Sequence, residues 1–164
     1  MRSSPEVVVI AQELPGSPEG RSVLRAYFRD IVSRYHGRPA TDSEVEAVLR
    51  DDPSNRLAPP DGLFLVARQA GDTVGCGGLL LLPGGIGEVK RVFVEPAARG
   101  RGVGRRLMRA LEDAAREHRV SRLRLDTRSN LTEARRLYVA EGYHEVPPFN
   151  DDPMSEHWYE KVFS

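Results

Sequence analysis

The chain has 164 residues, the length of about one domain, which is enough to bury a core without disulfides or metals. Its 24 basic and 24 acidic side chains cancel, so we expect neither nucleic acid nor a membrane surface as a partner. One cysteine excludes an internal disulfide. Residues 1–6 lack the apolar core of a signal peptide, and no apolar run approaches the length of a membrane span. The composition therefore predicts one cytoplasmic domain over residues 1–164.

The first third of the chain predicts one strand and two helices. Residues 7–10 form a β-branched run that is typical of a strand. Ser17-Pro18 is a typical helix start, and apolar residues continue at helical spacing until Gly37. Thr41 and Glu44 have the spacing of a capping box, which predicts a second, short helix behind them.

The middle third predicts three strands joined by short turns. Apolar runs occupy residues 63–67, 74–82 and 86–94, and turns that contain glycine separate them. This spacing is typical of an antiparallel meander. The second run contains several glycines, which indicate a bulge or the close approach of another backbone.

The last third alternates helices and strands. One helix follows residue 102, with an apolar stripe that includes Leu107 and Leu111, and another runs from about residue 130 to residue 141. Strands are predicted at residues 123–126, 143–146 and 157–163. The complete order predicts a single α+β (mixed α/β) domain.

A loop rich in glycine and arginine joins the strand at 86–94 to the next helix. Its glycines alternate at Gly100, Gly102 and Gly104, so successive backbone N–H groups can converge without side chains between them. The start of the helix adds unpaired N–H donors and partial positive charge. Four arginines and no acid lie between positions 99 and 106. The loop therefore predicts a site for a pyrophosphate.

The loop has three other possible interpretations. A P-loop requires Lys followed by Ser or Thr, and the loop has neither. A dinucleotide fingerprint requires a third glycine at the position that Leu107 occupies. A tight strand-to-helix turn with solvated arginines is compatible with the loop residues alone.

Two motifs together resemble the GNAT superfamily of N-acetyltransferases. Arg99-x-x-Gly102-x-Gly104 is similar to the family's acyl-CoA signature, and Asn130-x-x-x-Ala134-x-x-Leu137-Tyr138-x-x-x-Gly142-Tyr143 is similar to its second motif. The predicted elements also follow the family's order along nearly the whole chain. The resemblance implies a central, mostly antiparallel twisted sheet of six to seven strands with a splayed central pair, flanked by about four helices.

The resemblance also implies acetyl-CoA as co-substrate. The pantetheine arm would pair with strand backbone like an added strand, and the pyrophosphate would lie on backbone N–H groups of the loop. Asn130 is similar to an asparagine that hydrogen-bonds the arm, although asparagine is also a good helix N-cap. The implied binding residues are Val92, Phe93, Val94, Arg99, Gly100, Arg101, Gly102, Val103, Gly104, Arg105 and Asn130.

Two catalytic residues follow from the same resemblance. Tyr138 matches a tyrosine whose hydroxyl lies near the CoA sulfur. The alternative interpretation is that Tyr138 is a core residue beside Leu137. Glu88 lies where some members of the family carry a general base. The alternative interpretation is that Glu88 is a strand carboxylate paired with an arginine. Other members use water chains. Without a bulge, Glu88 would point to the same side of its strand as Val92 and Val94.

The acceptor is expected to be a primary amine of a small molecule, amino acid or peptide, bound between residues 27–41 and 147–157. Asp151 and Asp152 are candidates to receive the amine, and Arg91 is a candidate for a substrate carboxylate. No metal is expected because the histidines show no ligand spacing, and Cys76 is expected to be a small buried side chain. A monomer or homodimer is expected. The alternative function is a non-catalytic acyl-CoA-binding sensor.

Overall fold

Seven strands form one sheet and four α-helices cover its faces in the computed structural model, which describes residues 7–163. The strands are β1 (Val8–Gln12), β2 (Gly62–Gln69), β3 (Asp72–Leu82), β4 (Ile86–Val94), β5 (Arg122–Thr127), β6 (His144–Val146) and β7 (His157–Val162). The helices are α1 (Pro18–His36), α2 (Asp42–Asp51), α3 (Val103–Glu117) and α4 (Thr132–Ala140). Residues 1–6, where the sequence predicts no signal peptide, and residue 164 lie outside the described residues.

The sheet confirms the predicted α+β class and its mostly antiparallel order. Its strands run β1-β2-β3-β4-β5-β7-β6, and the β4–β5 pair is parallel whereas the other neighbours are antiparallel. The predicted meander is β2, β3 and β4. None of the helices within residues 7–163 has the length and apolar character needed to cross a membrane.

The central strands β4 and β5 separate after a short paired stretch. Parallel pairing joins residues 86–88 to residues 122–124, although β4 continues to Val94 and β5 to Thr127. The second half of β4 therefore faces an opening instead of a neighbouring strand on this side. This geometry confirms the predicted splayed central pair and leaves main-chain groups of β4 available to a ligand.

Helix ends follow the predicted local chemistry. The Ser17 hydroxyl accepts a hydrogen bond from the Gly20 N–H at 3.0 Å, and Thr41 and Glu44 form both bonds of the capping box. Gly37 ends α1 with φ of 69°, a conformation that favours glycine. These caps depend on residues three or four positions apart, which is why the sequence alone predicts them.

Apolar side chains on the two sides of the sheet form two separate cores. On one side, Leu63 and Leu65 of β2 pack with Leu107 and Leu111 of α3. On the other side, the alternate β2 residues join a cluster with residues of α1, namely Val23, Leu24, Phe64 and Val66. Because β2 is covered on both sides, its sequence is a continuous apolar run instead of an alternating one.

A bulge in β4 changes which side chains share a side of the sheet. Gly78 of β3 pairs with Lys90 and Cys76 pairs with Phe93, so three steps along β4 match two along β3. Arg91 lies in the bulge and has φ of 59°, a left-handed conformation that is uncommon for arginine.

The bulge corrects the predicted orientation of Glu88. Glu88 is paired with Leu80, a member of the α1-side core, whereas Val92 and Val94 pack against the α3-side core. The expectation that all three side chains point the same way required a regular strand, and the extra residue makes it wrong. Lys90 lies on the α1 side with Glu88.

Candidate active site

A cleft of about 460 Å³ lies at the open end of β4, and we call it the glycine-loop cleft. Nine of the eleven predicted binding residues line it, and Arg101 and Asn130 do not. Those nine are Val92, Phe93, Val94, Arg99, Gly100, Gly102, Val103, Gly104 and Arg105. The remaining lining residues are Tyr27, Asp30, Ile31, Ala98, Leu131, Glu133, Ala134 and Leu137.

The three glycines of the loop have two different roles. Gly100 and Gly102 have φ of 79° and 80°, and a Cβ on either would meet no atom within 4 Å. A Cβ on Gly104 would lie 2.9 Å from Cδ2 of Leu137, so Gly104 allows α3 to pack against α4. The first two glycines therefore permit the turn and keep the space beside the backbone open.

The start of α3 is suited to bind an anion. Its N-cap is Gly102, which has no side chain to accept from the first N–H groups of the helix. These donors and the positive end of the helix dipole lie beside Gly104 and Arg105 at the wall of the cleft. Open space at Gly100 and Gly102 together with these donors fits a pyrophosphate group.

Arg99 is held by neighbours that the sequence did not place together. Its Nε donates to the Val94 carbonyl at 3.0 Å, and its terminal nitrogens lie 3.4 Å from Asp30 and 3.8 Å from Glu133. Burial alone raises the pKa of Glu133, but hydrogen bonds from its own N–H and from Arg34 bring it below the usual value. The cleft is therefore less one-sided in charge than the loop sequence suggests.

Asn130 is not the N-cap of α4. The helix begins at Thr132 with Leu131 as its N-cap residue, and Leu131 makes no side-chain cap bond. The Asn130 amide instead donates to the Arg34 carbonyl at 3.2 Å, which ties the β5–α4 loop to the end of α1. The capping interpretation is wrong because the helix starts two residues later than predicted.

Tyr138 lies at a small cavity of about 50 Å³ between the separated parts of β4 and β5, which we call the Tyr138 cavity. The side chain is buried, and its ring packs against the rings of Tyr143 and Tyr159. Burial raises the pKa of its hydroxyl, so the group stays protonated at neutral pH. Its hydroxyl forms no hydrogen bond with any residue from 7 to 163.

Glu88 is buried where β4 is still paired with β5. Its carboxylate lies 4.0 Å from the Arg124 guanidinium, which stacks over Phe149. Glu88 lines neither the glycine-loop cleft nor the Tyr138 cavity. The predicted pairing of Glu88 with a neighbouring arginine is therefore present, and its role as a base stays a prediction.

A second large cavity of about 630 Å³ lies between α1, α2 and the end of β5, and we call it the α1–α2 cavity. It shares Tyr27, Ile31 and Leu131 with the glycine-loop cleft. The same three residues also line the Tyr138 cavity. The three spaces are therefore adjacent at these residues, and Tyr138 lines the smallest of them. Burial raises the pKa of Tyr27 to about 12, so this residue is also neutral there.

The predicted acceptor-binding residues are only partly in place. Asp152 lines the α1–α2 cavity and Asp151 does not. Arg91 lines it but is already occupied, because its guanidinium lies 3.0 Å from Asp52, donates to Ser54 at 3.2 Å and stacks 4.9 Å above Phe28.

Among the charged residues of this cavity that the sequence did not single out are Lys90 and Asp126. Lys90 precedes the bulge residue, and Asp126 lies near the end of β5, where the strands have separated. Asp126 accepts hydrogen bonds from Asn150 at 2.8 Å and from Ser155 at 2.7 Å. Asp126 alternates with the buried residues Leu123 and Leu125 of β5, and this alternation was the available signal for it, whereas nothing local indicated which side of β4 Lys90 would face.

Cys76 is a buried packing residue, as predicted. Its Sγ donates to the Arg91 carbonyl at 3.2 Å, and burial raises the pKa of the thiol far above its usual range. No cluster of three or more His, Cys, Asp or Glu side chains within the described part of the chain is arranged to hold a metal ion.

Comparison with known proteins identifies relatives of this chain. An IAA acetyltransferase from Azospirillum brasilense is 46% identical over 103 residues, which cover 60% of this chain and 67% of that protein. The N-alpha-acetyltransferase RimI from Mycobacterium tuberculosis is 33% identical over 124 residues, covering 70% of this chain and 77% of its own length.

Solved structures and a family-wide sequence model extend this likeness. The PaiA N-acetyltransferase from Thermoplasma acidophilum, solved in complex with coenzyme A, has a TM-score of 0.75 at 17% identity and covers 96% of this chain and 99% of that one. At that identity the likeness concerns the fold. The model of the acetyltransferase (GNAT) family matches residues 25–143, well over half of the chain. The chain therefore belongs to the GNAT acetyltransferase family.

Proposed function

We propose that the protein is an N-acetyltransferase that transfers the acetyl group of acetyl-CoA to a primary amine by direct attack in a ternary complex. The observation that carries this proposal is the meeting of three cavities at Tyr27, Ile31 and Leu131. One cavity suits a pyrophosphate-bearing donor, one is open to an acceptor, and Tyr138 lies between them. Holding both substrates at one point supplies proximity.

The chain's own residues would hold the donor in the glycine-loop cleft. Backbone N–H groups from residue 99 to residue 104 and the side chains of Arg99 and Arg105 would bind the pyrophosphate. The unpaired edge of β4 at residues 92–94 would pair with the pantetheine arm. Acetyl-CoA supplies the acetyl group and a thiolate leaving group.

The proton balance of the transfer requires a proton donor for the thiolate and a base for the amine. A C–N bond forms and the thioester C–S bond breaks, so the amine loses a proton and the departing thiolate can gain one. Tyr138 is a neutral O–H donor at the junction of the cavities and is proposed to serve the thiolate. An alkyl amine is mostly protonated at neutral pH, so a base must accept its proton.

Two carboxylates are proposed for that base. Asp126 lines the α1–α2 cavity, so it can meet the amine directly. Glu88 lies deeper, at the point where β4 and β5 separate, so it would act through water. Because the two relatives bear names that refer to different acceptors, the acceptor must be inferred from the chain's own cavity.

The proposal is tested with calorimetry and a thiol-release assay. We expect saturable binding of acetyl-CoA and release of free CoA that depends on an added primary amine from a panel of amino acids, amines and short peptides. Binding without release with every amine would favour the acyl-CoA sensor. Absence of binding would overturn the donor site itself.

A further inference from the structure

Lys90 is the cation of the α1–α2 cavity that lacks a partner. Of the four basic residues that line the cavity, Arg91 pairs with Asp52 at 3.0 Å and His36 with Glu44 at 2.8 Å. Arg128 donates to the Met154 carbonyl at 2.7 Å and lies 3.7 Å from Glu156. Within residues 7–163, the Lys90 ammonium forms no hydrogen bond or ion pair.

The position of Lys90 favours an incoming anion. Lys90 pairs with Gly78 just before the β4 bulge, in register with Glu88, so its side chain lies on the α1 side of the sheet, where the cavity lies. Lys90 is partly buried, so its charge is less screened than at an open surface. It also lines the Tyr138 cavity, which places it next to the proposed reaction centre.

Two carboxylates that line the same cavity, Asp126 of β5 and Asp152 of the β6–β7 loop, have no cationic partner among the described residues. Asp126 accepts only from neutral donors, Asn150 and Ser155, and Asp152 accepts from the Met154 backbone N–H at 2.9 Å. No cation lies within ion-pair distance of either carboxylate in the part of the chain that the structure describes. The cavity thus presents an uncompensated positive group near β4 and uncompensated negative groups near β5.

We propose that the acceptor is a small molecule that carries both a primary amine and a carboxylate, an amino acid or a close analogue, and that Lys90 binds its carboxylate. The amine then faces Asp126 and Asp152. This inference rests on the proposed acetyl transfer, and it replaces Arg91 with Lys90 as the carboxylate-binding residue, because Arg91 is already paired with Asp52. The volume of about 630 Å³ is within the range of small-molecule sites.

Matched acceptors test the role of the carboxylate. Several amino acids, their carboxamides and their decarboxylated amines are compared in the CoA-release assay with wild-type protein. We expect kcat/KM for an amino acid to exceed that for its carboxamide by about 10- to 100-fold, the range of one charge-assisted hydrogen bond. Equal kcat/KM values for the two would overturn the proposal.

Variants at Lys90 test which residue provides the selectivity. Lys90→Gln is expected to abolish the ratio between amino acid and carboxamide, mainly through KM, whereas Lys90→Arg keeps most of it. The matched control is Arg122→Gln, which removes an exposed cation from the paired end of β5. Arg122 lines neither the glycine-loop cleft nor the α1–α2 cavity. An unchanged ratio in Lys90→Gln would remove Lys90 from the site.

Equilibrium binding separates this proposal from acetyl transfer itself. Ligand-detected NMR with CoA present measures the affinities of the amino acid and its carboxamide for wild-type protein and Lys90→Gln. Lys90-dependent preference without CoA release would support the binding site and contradict the transfer reaction. Amine-dependent CoA release with no preference for a carboxylate would support the transfer reaction and contradict the Lys90 site.

Discussion

Arg99 donates a hydrogen bond from Nε to the carbonyl oxygen of Val94 at 3.0 Å. The first arginine of the loop is therefore fastened to the end of the strand that precedes it. Its terminal nitrogens face Asp30 and Glu133 at 3.4 and 3.8 Å, contacts long enough to be exchanged for a closer anion. Arg99 thus holds a guanidinium at the wall of the glycine-loop cleft before a ligand arrives.

Arg99→Gln is expected to weaken acetyl-CoA binding by at least about 10-fold, since a charge-assisted contact to phosphate is lost. Calorimetric titration measures the Kd. Arg106→Gln is the control, because Arg106 is an exposed cation of the same helix start that does not line the cleft. Equal losses in the two variants would mean that general charge, and not the position of Arg99, determines affinity.

Gly102→Val is expected to lose acetyl-CoA affinity by more than about 10-fold. The new side chain would occupy the open space beside the loop and strain a residue at φ of 80°. Gly84→Val controls for strain, because Gly84 has φ of 82°, also faces open space and lies in the β3–β4 turn. Both variants should lose similar stability in thermal unfolding. If calorimetry gives Gly102→Val the wild-type Kd, the phosphate position is wrong.

Local patterns predicted the parts of the fold that depend on near neighbours. The capping box at Thr41 and Glu44, the turn at Gly37 and the glycine loop each require residues only a few positions apart. The same holds for the order of strands and helices, since polar and apolar periodicity reports which side of an element is buried.

Long-range geometry escaped the sequence for identifiable physical reasons. Arginine has no special preference for a positive φ, so nothing in the residue type indicated the bulge at Arg91, which turns Val92 and Val94 to the side opposite Glu88 and Lys90. The contacts of Arg99 with Asp30 and Glu133 join residues that are distant along the chain. Only the packing of α1 against the end of β4 brings them together.

Tyr138→Phe is expected to lower kcat by about 10-fold or more while leaving the KM for acetyl-CoA nearly unchanged, because only the proton donor is removed. Tyr143→Phe is the matched control. Its ring lies 6.2 Å from that of Tyr138, and its hydroxyl is buried without a hydrogen-bond partner among the described residues. Steady-state kinetics that show equal kcat values for the two variants would assign Tyr138 to packing alone.

Asp126→Asn is expected to reduce kcat/KM more than Glu88→Gln, because only Asp126 lines the cavity where the amine would lie. In both variants the loss should be largest at low pH, where more of the amine is protonated and the base matters most. The measurement is a pH–rate profile from pH 6 to about pH 10. A profile that only Glu88→Gln alters would make Glu88 the base, and two unchanged profiles would point to a water chain.

Glu19 is expected to make the folded state less stable at low pH. A hydrogen bond from Arg68 and then one from Thr73 lower the pKa of its carboxyl from 4.5 to about 2. The ionised group therefore stabilises the folded state above pH 4.5, and this contribution is lost as the pH falls toward 2. Because the Glu19 side chain is 26% exposed, Glu19→Gln should cost only about 1–2 kcal/mol at pH 7.

The Tm difference between wild-type and Glu19→Gln proteins should shrink as the pH falls from 4.5 toward about 2, because the unfolded state takes up its proton first and the folded carboxylate only near pH 2. Glu46→Gln serves as the comparison, because its partner Arg25 is 43% exposed and Glu46 is 56% exposed, and such surface pairs contribute little. Thermal unfolding at pH 7, 5 and 3 measures all three proteins. A Tm difference for Glu19→Gln that is the same at pH 7 and pH 3 would show that packing, and not the ionised carboxylate, provides the stability.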